Sequence, residues 1–172
     1  MRKIPIRDLC LASMVAALYA VLSYFGSFFG LSYGPIQCRF AEALCVLPCL
    51  FPCTVPGLFV GCFIANLLST VGPLDLILGP LATLLAAMWT ARMPHRLLAP
   101  LPPVICNGLI VGGMITWYEV GFTARFWPVF AFNAVTVAIG ELIACCVLGT
   151  LLLHYLPKVS YLREMCASRR FD

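Results

Sequence analysis

Apolar positions fill this chain in long blocks, and the polar breaks between them are short. A membrane-spanning helix needs about 20 predominantly apolar residues. The block from Leu9 to Leu31 predicts a first helix of that kind. The next block, Ala43 to Leu74, is too long for one helix and contains Pro48, Pro52 and Pro56. Interior proline removes a backbone hydrogen bond and clashes with the preceding turn, so the block divides near Phe51–Val55. Helix 2 is expected over Pro35–Phe51 and helix 3 over Pro56–Val71. Pro73-Leu74-Asp75 restarts the chain into helix 4, Asp75–Met93, and a basic connector from Met93 to Pro100 follows. Helix 5 is expected over Leu101–Tyr118. Helix 6, Phe126–Leu156, is long enough to tilt or to project beyond the lipid.

Composition agrees with this pattern. Of 172 residues, 62% are hydrophobic and 10% charged, and the mean hydropathy is +1.00. Soluble domains have about 45–50% apolar and about 25% charged residues. The expectation is an all-α, polytopic integral membrane protein with a single domain, residues 1–172, in the cell membrane. The basic residues at the N-terminus superficially resemble a signal peptide, but the apolar run after Leu9 exceeds an h-region of about 7–15 residues, so a retained first helix is expected.

Charge tests the helix count, because Lys and Arg favour cytoplasmic loops. With six helices and the N-terminus inside, nine of the 11 basic residues are cytoplasmic, and only Arg39 and Arg125 lie outside. With five helices, four lie inside and seven outside. Six helices with both termini cytoplasmic is the better arrangement. The net charge of +4 then reports topology rather than nucleic-acid binding.

The remaining polar residues gather towards the outer half. Gln37, Arg39 and Glu42 lie at the outer end of helix 2, Asn66 in the outer part of helix 3, and Asp75 at the start of helix 4. Glu119 and Arg125 bracket the loop between helices 5 and 6, and Asn133 and Glu141 descend one face of helix 6. Asn107 is nearer the inner end of helix 5. A proton relay would need acids across the full depth, whereas one outward pocket fits this distribution. Arg39 and Glu42 either neutralise each other as i, i+3 neighbours or contact a ligand. Asp75 reads as a helix N-cap or first-turn acid. Glu141 has no local base, and an intramembrane carboxylate is by default a functional-site hypothesis.

Ala12, Ala16 and Ala20 form a small-residue stripe on helix 1. Gly57-x-x-x-Gly61 and Gly108-x-x-x-Gly112 repeat the device, which lets another helix approach closely. Of the ten cysteines, Cys45, Cys49 and Cys53 share a helical stripe and read as small packing residues; no pair has C-x-x-C spacing. Neither lysine lies in a Walker A loop, no metal-ligand pattern stands out, and an enzyme reading has little support. No cofactor is expected. Energy for transport would come from a partner, from a gradient, or from nothing at all.

Several ordered motifs carry a family resemblance: Tyr33-Gly-Pro-Ile-Gln-Cys-Arg-Phe-Ala-Glu-Ala-Leu44, Pro56-Gly-Leu-Phe-Val-Gly-Cys-Phe-Ile-Ala-Asn-Leu-Leu68, Gly79 to Ala87, Pro102 to Gly112 and Gly140-Glu-Leu-Ile143. Across most of its length the chain resembles the QueT family, the substrate-binding (S) components of energy-coupling factor (ECF) transporters for queuosine precursors. The resemblance implies six helices, one outward pocket, and docking onto a transmembrane coupling protein with two ATPases. It also implies that Ala12, Ala16 and Ala20 meet the coupling protein. A 7-deazaguanine ligand would need an acceptor for two adjacent N–H groups, which Glu141 or Glu42 could supply as a bidentate carboxylate. It would need a donor from Gln37, Arg39, Asn66 or Asn133, and an aromatic face such as Tyr33, Phe40, Trp117 or Tyr118. A cationic aminomethyl form would want a second acid. The competing readings are a self-sufficient secondary carrier or small-solute permease, and a structural membrane protein without ligand.

Overall fold

The computed structural model describes residues 5–28, 39–67, 72–159 and 162. Among them are six α-helices: α1 (Ile6–Phe28), α2 (Val55–Asn66), α3 (Asp75–Thr90), α4 (Leu101–Val120), α5 (Phe126–Ile143) and α6 (Thr150–Tyr155). Between α1 and α2 lie a ten-residue 3₁₀ helix, Phe40–Cys49, and a short 3₁₀ turn, Pro52–Thr54. A π-helical segment, Ala144–Gly149, joins α5 to α6, so that Phe126–Lys158 forms one helical rod.

Local chemistry sets the boundaries. Asp8 lies in the first turn of α1, where a carboxylate is favoured by the helix dipole. Pro102 and Pro103 open α4 at positions whose N–H groups have no intrahelical partner. Gly121 closes α4 at a positive φ of 58°, its N–H bonded to Trp117 O at 3.0 Å. The expected break in the proline-rich block falls between Cys49 and Pro52. Its first half is a 3₁₀ helix rather than an α-helix.

The centre of the molecule is that 3₁₀ helix. Every residue from Ala41 to Phe51 is buried, as expected of a helix that is apolar almost all round. Around it the core takes in Tyr19 of α1, Leu58 and Cys62 of α2, Ala87 of α3, Cys145 of the π segment and Leu153 of α6.

Helix directions follow from the contacts. Gly57 and Gly61 of α2 lie against the backbone of Ala12 and Ala16 of α1; a Cβ on Gly61 would come within 2.7 Å of Ala16 O. Further along, Tyr24 Oη donates to Ile64 O at 3.4 Å. The two helices therefore run parallel, and the chain returns between them through the 3₁₀ helix, where Tyr19 meets Glu42. Cys62 meets Thr83 and Asn66 meets Asp75, so α2 and α3 are antiparallel. Leu74 meets Tyr118, and Gly112 packs on Ala134, which makes α3, α4 and α5 successively antiparallel. One end of the bundle, here the upper end, carries Arg39, Asn66, Asp75, Tyr118, Glu119 and Arg125. The lower end carries the start of α1, Arg92, Arg96 and Lys158.

Three helical stretches are long and apolar enough to cross a membrane: Ile6–Phe28, Arg96–Val120 and Phe126–Lys158. Phe40–Cys49, Pro52–Asn66 and Asp75–Thr90 are apolar but shorter. The expected outer ends of helices 1 and 3 and the start of helix 2 fall partly outside the described residues.

Candidate functional site

The buried polar side chains form three groups rather than one. The first crosses the middle of the bundle. Glu42, on the first turn of the 3₁₀ helix, is 1% exposed. Its Oε1 accepts the Tyr19 hydroxyl at 2.5 Å, and its Oε2 accepts the Cys45 thiol at 3.0 Å. The Cys145 thiol donates to the Glu42 carbonyl oxygen at 3.3 Å and lies 3.9 Å from Glu141 Oε2. Glu141 Oε1 in turn accepts from Asn107 Nδ2 at 2.8 Å. Side chains from α1, the 3₁₀ helix, the π segment, α5 and α4 thus form one transverse polar chain.

The second group ties the upper rim. Arg39 Nη2 lies 3.9 Å from Asp75 Oδ2, and Asn66 Nδ2 donates to the Asp75 carbonyl oxygen at 2.8 Å. Gly79 gives the Asn66 amide room to lie against α3. The third group joins α4 and α5: Asn133 Nδ2 donates to Thr116 Oγ1 at 3.1 Å and to Glu119 Oε2 at 2.9 Å. Thr116 Oγ1 donates to Gly112 O at 2.7 Å.

This arrangement revises several expectations. Arg39 and Glu42 are not an internal pair, since Arg39 is ion-paired with Asp75 and Glu42 is bonded to Tyr19. The i, i+3 rule assumes a helix, and Arg39 precedes its helix in an extended conformation, φ −91° and ψ 99°. Asp75 is a first-turn residue, but Leu74 holds the N-cap position, and the carboxylate is fully buried at the Arg39 guanidinium. Glu119, expected at the loop between helices 5 and 6, is exposed and bonded to Asn133. Glu141 has no base beside it, but it is held by an amide from the facing helix.

The alanine stripe is also used differently. Ala12, Ala16 and Ala20 are buried, and the Gly57-x-x-x-Gly61 face of α2 covers Ala12 and Ala16. Ala12 and Ala16 thus serve packing within the chain, a use of the stripe that differs from the docking expected of it. The exposed side of α1 is formed by Ser13, Met14, Ala17, Leu18 and Val21.

Trp117 and Tyr118 sit at the upper end of α4, ring centroids 5.5 Å apart and edge to face. They lie about 15 Å along the helix from Asn107. Tyr118 Oη accepts the Leu74 N–H at 2.9 Å and so fixes the turn into α3. Tyr33 and Gln37 lie outside the described residues. Among those that are described, no group of three or more His, Cys, Asp or Glu side chains could hold a metal ion. Asn107, Tyr19 and Cys145 were not among the expected site residues. The available signal was an amide, a phenol and a thiol at positions that otherwise face an apolar core.

Chemically, the transverse chain offers two buried carboxylates that differ in how closely they are held. Glu42 has both oxygens engaged. Glu141 has a short bond from Asn107 on one oxygen and, among the described residues, a longer one of 3.9 Å from the Cys145 thiol on the other.

Residues 9–158 match the model of a family described as QueT transporter. No curated protein and no solved structure matches the chain.

Proposed function

The chain belongs to the QueT transporter family, and from that premise we propose that it is the substrate-binding S component of an ECF transporter, capturing a 7-deazaguanine precursor of queuosine. The observation that carries this reading is Glu141, a buried carboxylate in mid-bundle with one oxygen held by Asn107 and the other met at 3.9 Å by the Cys145 thiol. A charged group at that depth is expensive unless it serves a partner or a ligand. Glu42, with Tyr19 and Cys45 on its two oxygens, acts as the internal anchor, so Glu141 takes the ligand. Arg39, Asn66 and Asn133, with Tyr33, Gln37, Trp117 and Tyr118, border the outward approach in this proposal.

The proposed topology has six crossings with both termini in the cytoplasm. The parallel packing of α1 and α2 supports it, because the chain must return between them. Four of the six basic residues among those described gather at the lower end, which is the cytoplasmic end in this reading. A coupling protein with two ATPases supplies the energy. It meets α1 on the side that α2 leaves open, around Ser13, Ala17 and Val21.

The test is binding to the purified protein. Calorimetry should detect 7-deazaguanine bases carrying nitrile or aminomethyl groups, and queuine, with Glu141→Gln at least about tenfold weaker from loss of a charge-assisted hydrogen bond. Affinity unchanged in Glu141→Gln would remove that residue from the site. Uptake by cells lacking the coupling protein and ATPases would favour a self-sufficient permease.

A further inference from the structure

We propose that the lower end of the α5–α6 rod binds an anionic phospholipid, with the phosphate at Lys158 and His154 and an acyl chain along Val147, Leu151 and Tyr155. The proposal is independent of which substrate the protein carries. The last turns of the rod have two sides. Gly149 and Leu153 are buried, and Gly149 lies against Val46 of the 3₁₀ helix. Val147, Leu151 and Tyr155 are 55%, 49% and 59% exposed. They follow one another at four-residue spacing, about one turn each, and so form an apolar column down the outside. The rod, Phe126–Lys158, is long and apolar enough to cross a membrane. In a membrane, such a column lies against acyl chains.

The column ends in a cation held by neutral groups. Lys158 Nζ lies 2.9 Å from His154 Nε2 and 4.8 Å from the centroid of the Tyr155 ring, and the His154 ring meets Tyr155 edge to face. An ammonium only donates hydrogen bonds, so His154 Nε2 accepts and Nδ1 carries the imidazole proton. These contacts fix the ammonium beside the last ring of the column. Among the described residues, Lys158 meets no carboxylate. Arg96–Leu98, the 3₁₀ turn ahead of α4, packs on α6 and puts Arg96 at the same end. A phosphodiester lipid supplies what this place lacks, a negative charge with acceptor oxygens, joined to chains that cover the column. Long cationic side chains reach headgroup level along apolar surface in just this way. Inorganic phosphate would satisfy the cation and leave the column bare.

The test titrates the full-length protein in detergent with phosphatidylglycerol or with phosphatidylcholine of the same chains, and follows bound lipid by native mass spectrometry. Wild type should bind phosphatidylglycerol at least about fivefold more tightly, the worth of one basic residue at an anionic surface. Lys158→Gln should bring that ratio to within about twofold, and Lys158→Arg, which keeps the charge, should hold it. Leu151→Ser should weaken both lipids alike and leave the ratio in place. The ratio is taken within one preparation, so a partly folded variant reports it as well as a stable one. Equal binding of the two lipids by wild type, or an undiminished ratio in Lys158→Gln, would overturn the site. Displacement of phosphatidylglycerol by an equal concentration of sodium phosphate would reduce it to a free-anion site and overturn the acyl contact. If Lys158→Gln keeps the lipid ratio but loses capture of the coupling protein, the patch belongs to a protein partner instead.

Discussion

Tyr19 and Glu42 form a short, buried hydrogen bond across the bundle, and they separate a structural acid from a binding one. Hydrogen bonds to charged groups contribute about 1.5–3 kcal/mol. Tyr19→Phe should therefore lower stability by about 1.5–3 kcal/mol in detergent denaturation while leaving ligand affinity within about twofold. A large loss of affinity at unchanged stability would make Glu42 a ligand contact. At the rim, Arg39 and Asp75 join segments 36 positions apart in sequence. A double-mutant cycle on Arg39→Gln and Asp75→Asn should give a coupling of about 0.5–3 kcal/mol in stability, and a value near zero would show that the pair is incidental. The chemistry of these residues was legible in the sequence, since an acid or a guanidinium in an apolar block must be accounted for. Their partners were not. Nothing near Arg39 in the chain points to Asp75 in preference to Glu42, three residues away, and nothing near Glu141 points to Asn107.

At the scale of elements, the start of α5 at Phe126, of α4 at Leu101 and of α3 at Asp75 coincide with the expected positions, because proline, glycine and charge mark them. The 3₁₀ helix is a different case. Ala41 to Leu50 is buried on every side, so its sequence has no polar face whose period could separate three residues per turn from 3.6. The π segment is equally unmarked, being built from small and apolar residues. The two irregular helices pack on each other, with Gly149 against Val46 and the Ala43 carbonyl oxygen. The α1–α2 contact allows a sharper test. Gly61→Val places side-chain atoms where the Ala16 backbone and Tyr19 Cβ already lie. Overpacking of this kind costs about 1–3 kcal/mol. Thermal unfolding should register it, whereas Val60→Ala on the exposed side of α2 should change little.

For the whole molecule, contacts between helices decide what composition leaves open. Hydropathy alone marks three long stretches, while the parallel α1–α2 pair implies that the short central segment also carries the chain from one end to the other. Fusions should show it. A fluorescent reporter joined after His95 should fold in the cytoplasm, and alkaline phosphatase joined after Thr123 should be active outside. The reverse pattern would invert the proposed orientation, and the same side for both would break the antiparallel order of α4 with its neighbours.

The parallel pair also bears on how the protein is made. Ala12 leaves the ribosome about 45 residues before Gly57, its packing partner, a delay of about 2–9 s at ordinary synthesis rates. During that interval the first helix has its small-residue groove unfilled, and the segment that follows has that helix alone to lean on. Membrane insertion would then proceed by delivering the central 3₁₀ helix and α2 together as a hairpin, which closes over the waiting groove. A chain stalled between them would expose the groove to the quality-control proteases of the membrane.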